Sequence, residues 1–172
     1  KLHRMQVYLT PLGPETDRQM DEAWTAMTAG RKVEPSTIAL KGREIPVPLA
    51  AGTAARFSFN DLCAQPLGAR DYLAIAARFD TLFVDHIPVL SQAQRNEAKR
   101  FILLIDTLYD QHMRLVASAE AAPEKLYSGT IGTESFEFTR TASRLTEMQS
   151  KEWLDNVRSP DSRARVETTA EM

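Results

Sequence analysis

The chain has 172 residues, 43% hydrophobic and 26% charged, the proportions of an ordinary globular domain and long enough to bury about two-thirds of its unfolded surface. Its formal net charge is −2, with acids and bases interspersed, so neither nucleic acid nor an anionic membrane is called for as the main partner. No apolar run approaches the ~20 residues needed to span a bilayer, and the single cysteine, Cys63, rules out an intramolecular disulfide.

The opening Lys1-Leu2-His3 carries no initiator methionine and no signal peptide, and reads as a boundary inside a longer protein. Met5 to Leu9 reads as a strand or an arriving linker. Pro14, Glu15 and Asp17 suit a helix start, since proline loses no needed N–H there and the acids face the positive end of the dipole. Met20, Ala23, Trp24 and Met27 follow at helical spacing, and Gly30 is the stop.

Residues 31–60 predict a small antiparallel β insert. Thr37 to Leu40 and Glu44 to Pro48 flank a glycine turn, and Arg56-Phe57-Ser58-Phe59 alternates as a third strand would. Pro46 and Pro48 cannot donate to a ladder, which predicts an edge position for their strand. Asn60 is the expected cap of a short helical turn. Tyr72, Leu73, Ile75, Ala76 and Phe79 form the stripe of a second amphipathic helix.

Thr81-Leu82-Phe83-Val84 is an unbroken apolar run, as in a strand buried on both faces, and ends in Asp85-His86. Ser91 is a good N-cap for the longest helix, whose stripe is Ala98, Phe101, Ile102, Ile105, Leu108 and Tyr109. Met113 to Ser118 is another strand, so 81–118 predicts a strand–helix–strand unit with parallel strands. Pro123 to Tyr127 reads as a short helical turn, Ser128 to Glu134 as a mobile loop, and Ala142 to Leu154 as a final helix.

The expected fold is α/β, a parallel strand–helix–strand core with a small antiparallel insert and a C-terminal helix. Its parts are a lead-in at 1–30, the insert at 31–60, an α/β domain at 61–156 and a disordered tail at 157–172.

Two patterns bear on chemistry. Leu82-Phe83-Val84-Asp85 has the shape of a strand that ends in a magnesium-holding acid, as in P-loop nucleotide hydrolases. No Gly-x-x-x-x-Gly-Lys-Ser/Thr occurs anywhere in the chain, so no phosphate cradle accompanies it, and His86 stands where a catalytic acid would follow. The three histidines and Cys63 have no metal-ligand spacing. Cys63 lies in an apolar context and reads as a buried small residue rather than a nucleophile.

The second pattern is Arg140 and Arg144, four apart at an expected helix start, where two cations oppose the dipole. Glu147, another carboxylate or a bound phosphate is expected to compensate. A salt-bridged surface face is the plainer reading.

Several ordered segments carry a resemblance. Arg56-Phe57-Ser58-Phe59-Asn60-Asp61-Leu62-Cys63, Pro66-Leu67-Gly68-Ala69-Arg70-Asp71-Tyr72-Leu73, Phe79 to Leu90, Glu97 to Asp110, Arg114 to Ala119 and Phe138-Thr139-Arg140-Thr141-Ala142-Ser143-Arg144-Leu145 resemble the ZapE family of AAA+ ATPases, which has a mitochondrial branch. The resemblance is dense over 56–154. It implies a Walker A loop, a Walker B acid pair and a sensor asparagine upstream of residue 1. It also implies ATP with magnesium in the full-length protein, none held by this chain alone, and a homo-oligomeric ring.

For bacterial members the resemblance implies a cytoplasmic location and an association with the FtsZ division ring, and for mitochondrial members protein quality control. Any membrane contact would be peripheral, through a partner. Within that frame Asp85 is a degenerate Walker-B-like residue. Arg140 and Arg144 are the candidates for an arginine finger or sensor, and 81–127 reads as a degenerate copy of the nucleotide-binding unit. The competing readings are a stand-alone interaction module and an independent small-molecule enzyme.

Overall fold

The computed structural model of the chain describes residues 6–160. Among these residues six strands form one sheet. They are β1 (Tyr8–Leu9), β2 (Glu34–Leu40), β3 (Arg43–Ala51), β4 (Ala54–Ser58), β5 (Thr81–Ile87) and β6 (Arg114–Ala119), in the spatial order β1-β6-β5-β4-β3-β2. The pairs β1–β6, β6–β5 and β5–β4 are parallel, and β4–β3 and β3–β2 are antiparallel. The fold is therefore mixed α/β, and the antiparallel strands at 34–58 continue the parallel sheet through β4.

The helices are α1 (Pro14–Met27), α2 (Phe59–Cys63), α3 (Ala69–Arg78), α4 (Arg95–Asp110), α5 (Thr133–Glu147) and α6 (Lys151–Asp155). The unbroken apolar run of β5 is explained by burial on both faces. Leu82 and Val84 point into a large core with α2 to α5, while Phe83 points the other way with Met20 and Trp24 of α1. β6 repeats this division, with Leu115 and Ala117 on one side and Val116 on the other. Trp24 meets Phe83 edge-on at 5.1 Å, a geometry the ring quadrupoles favour. Each fully buried side chain of this kind contributes roughly 1.5–3 kcal/mol.

The expected parallel unit is present: Thr81 opposes Arg114 and Val84 opposes Ala117, with α4 between the strands in sequence. A second unit precedes it, since β4 and β5 are also parallel neighbours joined through α2 and α3.

Three local expectations are corrected. The strand with Pro46 and Pro48 lies between β2 and β4, not at an edge. Pairing of β3 with β4 begins only at Leu49, so both prolines sit where β3 has a neighbour on one side alone, and no ladder partner there loses a donor. The cap of α2 is Ser58 rather than Asn60: the Ser58 hydroxyl accepts the Asp61 amide at 3.0 Å and Asp61 accepts the Ser58 amide at 2.8 Å, a reciprocal capping box.

The third correction concerns the chain end. Arg158, in the stretch expected to lack order, is held by Asp80 at 2.9 Å, by Gln111 and by the carbonyls of Ala76 and Phe79. Residues 161–172 lie outside the described residues.

Candidate functional site

Strand β5 leaves regular pairing where the candidate acid stands. Val84 opposes Ala117 and Ile87 opposes Ala119, so β5 carries one residue more than β6 over this step. The irregularity falls at Asp85-His86, and His86 takes φ +65°, a conformation that costs an L-residue about 1–2 kcal/mol. The Ser118 hydroxyl accepts the His86 amide at 2.8 Å and helps fix the bulge. Bulges of this kind re-aim side chains at strand ends.

The Asp85 carboxylate is matched by a residue the sequence reading did not single out. Ser58 opposes Asp85 across the β4–β5 pair, and Arg56 lies two residues earlier, on the same face. Its Nε donates to Oδ2 at 2.7 Å and its Nη2 to Oδ1 at 3.0 Å, while Nη2 also reaches Asp21 of α1 at 2.9 Å. The Arg56 and Asp85 side chains are each 13% exposed. Burial lowers the Arg56 pKa, but the hydrogen bond and charge of Asp85, then those of Asp21, raise it above its ordinary value. One turn earlier on α1, Asp17 lies 2.9 Å from His86 Nε2.

These residues do not fit a magnesium nucleotide. Both Asp85 oxygens are committed to a guanidinium, and the chain has no glycine-rich phosphate loop. Among the described residues, no group of three or more His, Cys, Asp or Glu is placed to hold a metal.

Arg140 and Arg144 do share a helix face, but not at a helix start. Helix α5 begins at Thr133, so Arg140 is interior and Arg144 lies in the last turn, where a cation suits the dipole. The expected repulsion is therefore overturned for Arg144. The compensating acid is Asp106 of α4, not Glu147. Arg144 Nη1 donates to Asp106 Oδ1, and Arg140 Nη2 lies 3.4 Å from Oδ2.

Arg144 also covers the Tyr109 ring at 4.6 Å, a cation–π contact. Glu147 instead accepts the Tyr109 hydroxyl at 2.7 Å, which raises that hydroxyl's pKa. The two arginines differ in freedom: Arg140 is 54% exposed and Arg144 23%.

The early start of α5 has its own cause. Glu134 in its first turn is fully buried and paired with Arg95 at 3.0 Å and Lys99 at 3.5 Å, both on α4. A hydrogen bond from its own amide lowers its pKa, burial opposes this, and Arg95 and Lys99 add to the lowering. Cys63 is fully buried, and burial pushes its thiol pKa up, so it is inert as a nucleophile. His112 stacks on Trp153 at 4.1 Å, a packing role. His3 lies outside the described residues.

Comparison with known proteins agrees with the segments quoted above. A family model described as AFG1-like ATPase matches residues 1–157. The cell division protein ZapE of Escherichia coli K12 is 35% identical over 153 residues, covering 89% of this chain and 40% of that protein. Lactation elevated protein 1 homolog B of Danio rerio is 35% identical over 156 residues, covering 73% of this chain and 31% of that protein. The chain thus spans less than half the length of the curated relatives it matches. No solved structure matches it. A family model matched over nine-tenths of the sequence, on the same parallel units the structure shows, places the chain in the AFG1-like ATPase family.

Proposed function

We propose that this chain is the carboxy-terminal regulatory and oligomerisation part of an AAA+ ATPase, whose full-length form binds ATP with magnesium through a phosphate loop outside these 172 residues. The observation that carries the reading is the Arg56–Asp85 pair. The one acid at the strand position where such enzymes hold magnesium is neutralised within the chain. In this reading 81–127 keeps the parallel scaffold of a nucleotide-binding unit and lacks its chemistry, with His86 in place of the catalytic acid and Ser118 spent on the β5 bulge.

Arg140 is the better candidate for a trans-acting arginine towards a ring neighbour's nucleotide, because it is more exposed and its Asp106 contact is long, whereas Arg144 is held by Asp106 and Tyr109. A guanidinium so placed meets charge developing on the transferring phosphate. A role in cell division at the FtsZ ring, or in protein quality control, follows the family resemblance, and so does a cytoplasmic location. Among the described residues, no helix is long and apolar enough to cross a membrane.

The test is ATP turnover by the full-length protein. Asp85→Asn is expected to leave Mg-ATP affinity and turnover within about threefold of the native values, and Arg140→Ala to lower turnover by about a hundredfold. Loss of ATP binding in a folded Asp85→Asn protein overturns the scaffold reading. Unchanged turnover in Arg140→Ala removes Arg140 as a finger.

A second reading, an interaction module without nucleotide chemistry, is favoured by Phe136 in the first turn of α5 and Ile131 just before it, which are 84% and 73% exposed. Absence of ATP binding by the full-length protein would select it.

A further inference from the structure

The sheet has a second charged end. Ala54, Thr81 and Arg114 open β4, β5 and β6 and stand in one row across the parallel strands. They lie at the opposite end of β5 from Asp85, roughly four residues or about 13 Å away along the strand. A cavity of about 490 Å³ opens here, lined among others by Arg31, Thr81, Arg114 and Arg158, with the carboxylates of Asp80 and Asp155.

Neither carboxylate is hydrogen-bonded to Arg31 or Arg114 among the described residues. Asp80 is taken by Arg158 at 2.9 Å and Asp155 by Lys151 at 2.5 Å. Arg31 and Arg114 make no side-chain hydrogen bond or ion pair among the described residues. Arg114 is part-buried, and burial lowers its pKa with no opposing acid. Desolvating a cation without a partner is costly, so this feature asks for an anion. Arg31 is brought to the cavity by a glycine: Gly52, at φ +58°, turns β3 into β4, and a Cβ there would lie 2.8 Å from Arg31 Nη1.

We propose that this cavity is a binding site for a phosphate dianion, free or as a small phosphomonoester, held between Arg31 and Arg114. Two unpaired guanidinium groups match a group that carries nearly two charges at neutral pH, and their forked donors fit its oxygens. The volume admits a small ester as well as the bare ion. The proposal does not rest on the ATPase reading.

The experiment is calorimetric titration of the full-length protein at constant ionic strength with inorganic phosphate, with glycerol phosphate and with malonate, beside Arg114→Gln and Arg31→Gln. One saturable phosphate site per chain is expected in the native protein, absent or weakened by about tenfold or more in each variant. A phosphate site at the nucleotide seat would persist in both variants, so the difference reports this cavity alone. Tighter binding of glycerol phosphate identifies an ester, and tighter binding of inorganic phosphate the free ion. If circular dichroism shows Arg114→Gln unfolded, the exposed Arg31→Gln decides. Variants that titrate like the native protein, or a native protein with no phosphate site that either removes, overturn the proposal, and malonate binding as tightly as phosphate overturns the phosphate class.

Discussion

The two ends of the parallel sheet solve the same electrostatic problem differently. At the carboxyl ends of the strands, where open α/β sheets ordinarily take their ligands, Asp85 is closed off by Arg56, which also pairs with Asp21. At the amino ends, Arg158 and Asp80 are matched, but Arg114 and Arg31 have no ion-pair partner among the described residues. A matched pair holds elements together: Arg56 ties α1 to β4 and β5, and Arg158 ties the stretch after α6 to α3 and to Asp80, just before β5. An unmatched, part-buried cation holds nothing and is left for a ligand.

The largest expected effect breaks the matched pair at the amino end. Arg158→Ala removes the guanidinium from Asp80, whose side chain is 3% exposed, and from the Ala76 and Phe79 carbonyls. Loss of one partner of a buried pair costs about 3–5 kcal/mol, read as a shift in the urea midpoint. An effect below about 1 kcal/mol would mean that packing, not charge matching, secures this end.

The next effect sharpens the carboxyl end. Arg56→Gln strands the largely buried Asp85 carboxylate and is expected to cost about 2–3 kcal/mol. Asp85→Asn leaves Arg56 paired with Asp21, and an amide oxygen still accepts, so about 1 kcal/mol is expected. Chemical denaturation of both variants checks the order. Equal losses would show that Asp21 contributes nothing to holding Arg56.

What the sequence disclosed follows the range of each interaction. The apolar run 81–84, the stripe of α4 and the strand after it are local periodicities, and they sufficed to place a parallel β5–α4–β6 unit. Asp85 was found for the same reason. Its partner was not, because Arg56 faces Asp85 only once β4 is known to lie beside β5, a pairing without a local signal. The start of α5 was missed for a similar reason: Glu134 is fixed by Arg95 and Lys99 from another helix, and a glycine-rich stretch alone reads as loop. Arg158 sits in a polar tail of the kind that usually lacks order, and its anchors come from α3, the short link between α3 and β5, and the turn after α4. The Asp106 partner of Arg140 and Arg144 was open in the sequence, because any nearby carboxylate would serve.

The smallest expected effect is the most discriminating. If Arg114 were structural, Arg114→Gln would cost stability as Arg56→Gln does. Its guanidinium makes no hydrogen bond or ion pair among the described residues, and burial works against its charge. Replacing it by a neutral side chain of similar length removes that desolvation cost and no contact of the charge, so stability without added anion is expected to stay within about 0.5 kcal/mol of native or to rise. The same denaturation series measures this. A loss above about 1 kcal/mol would show that the charge is already satisfied within the protein, and the contrast between the two ends would vanish.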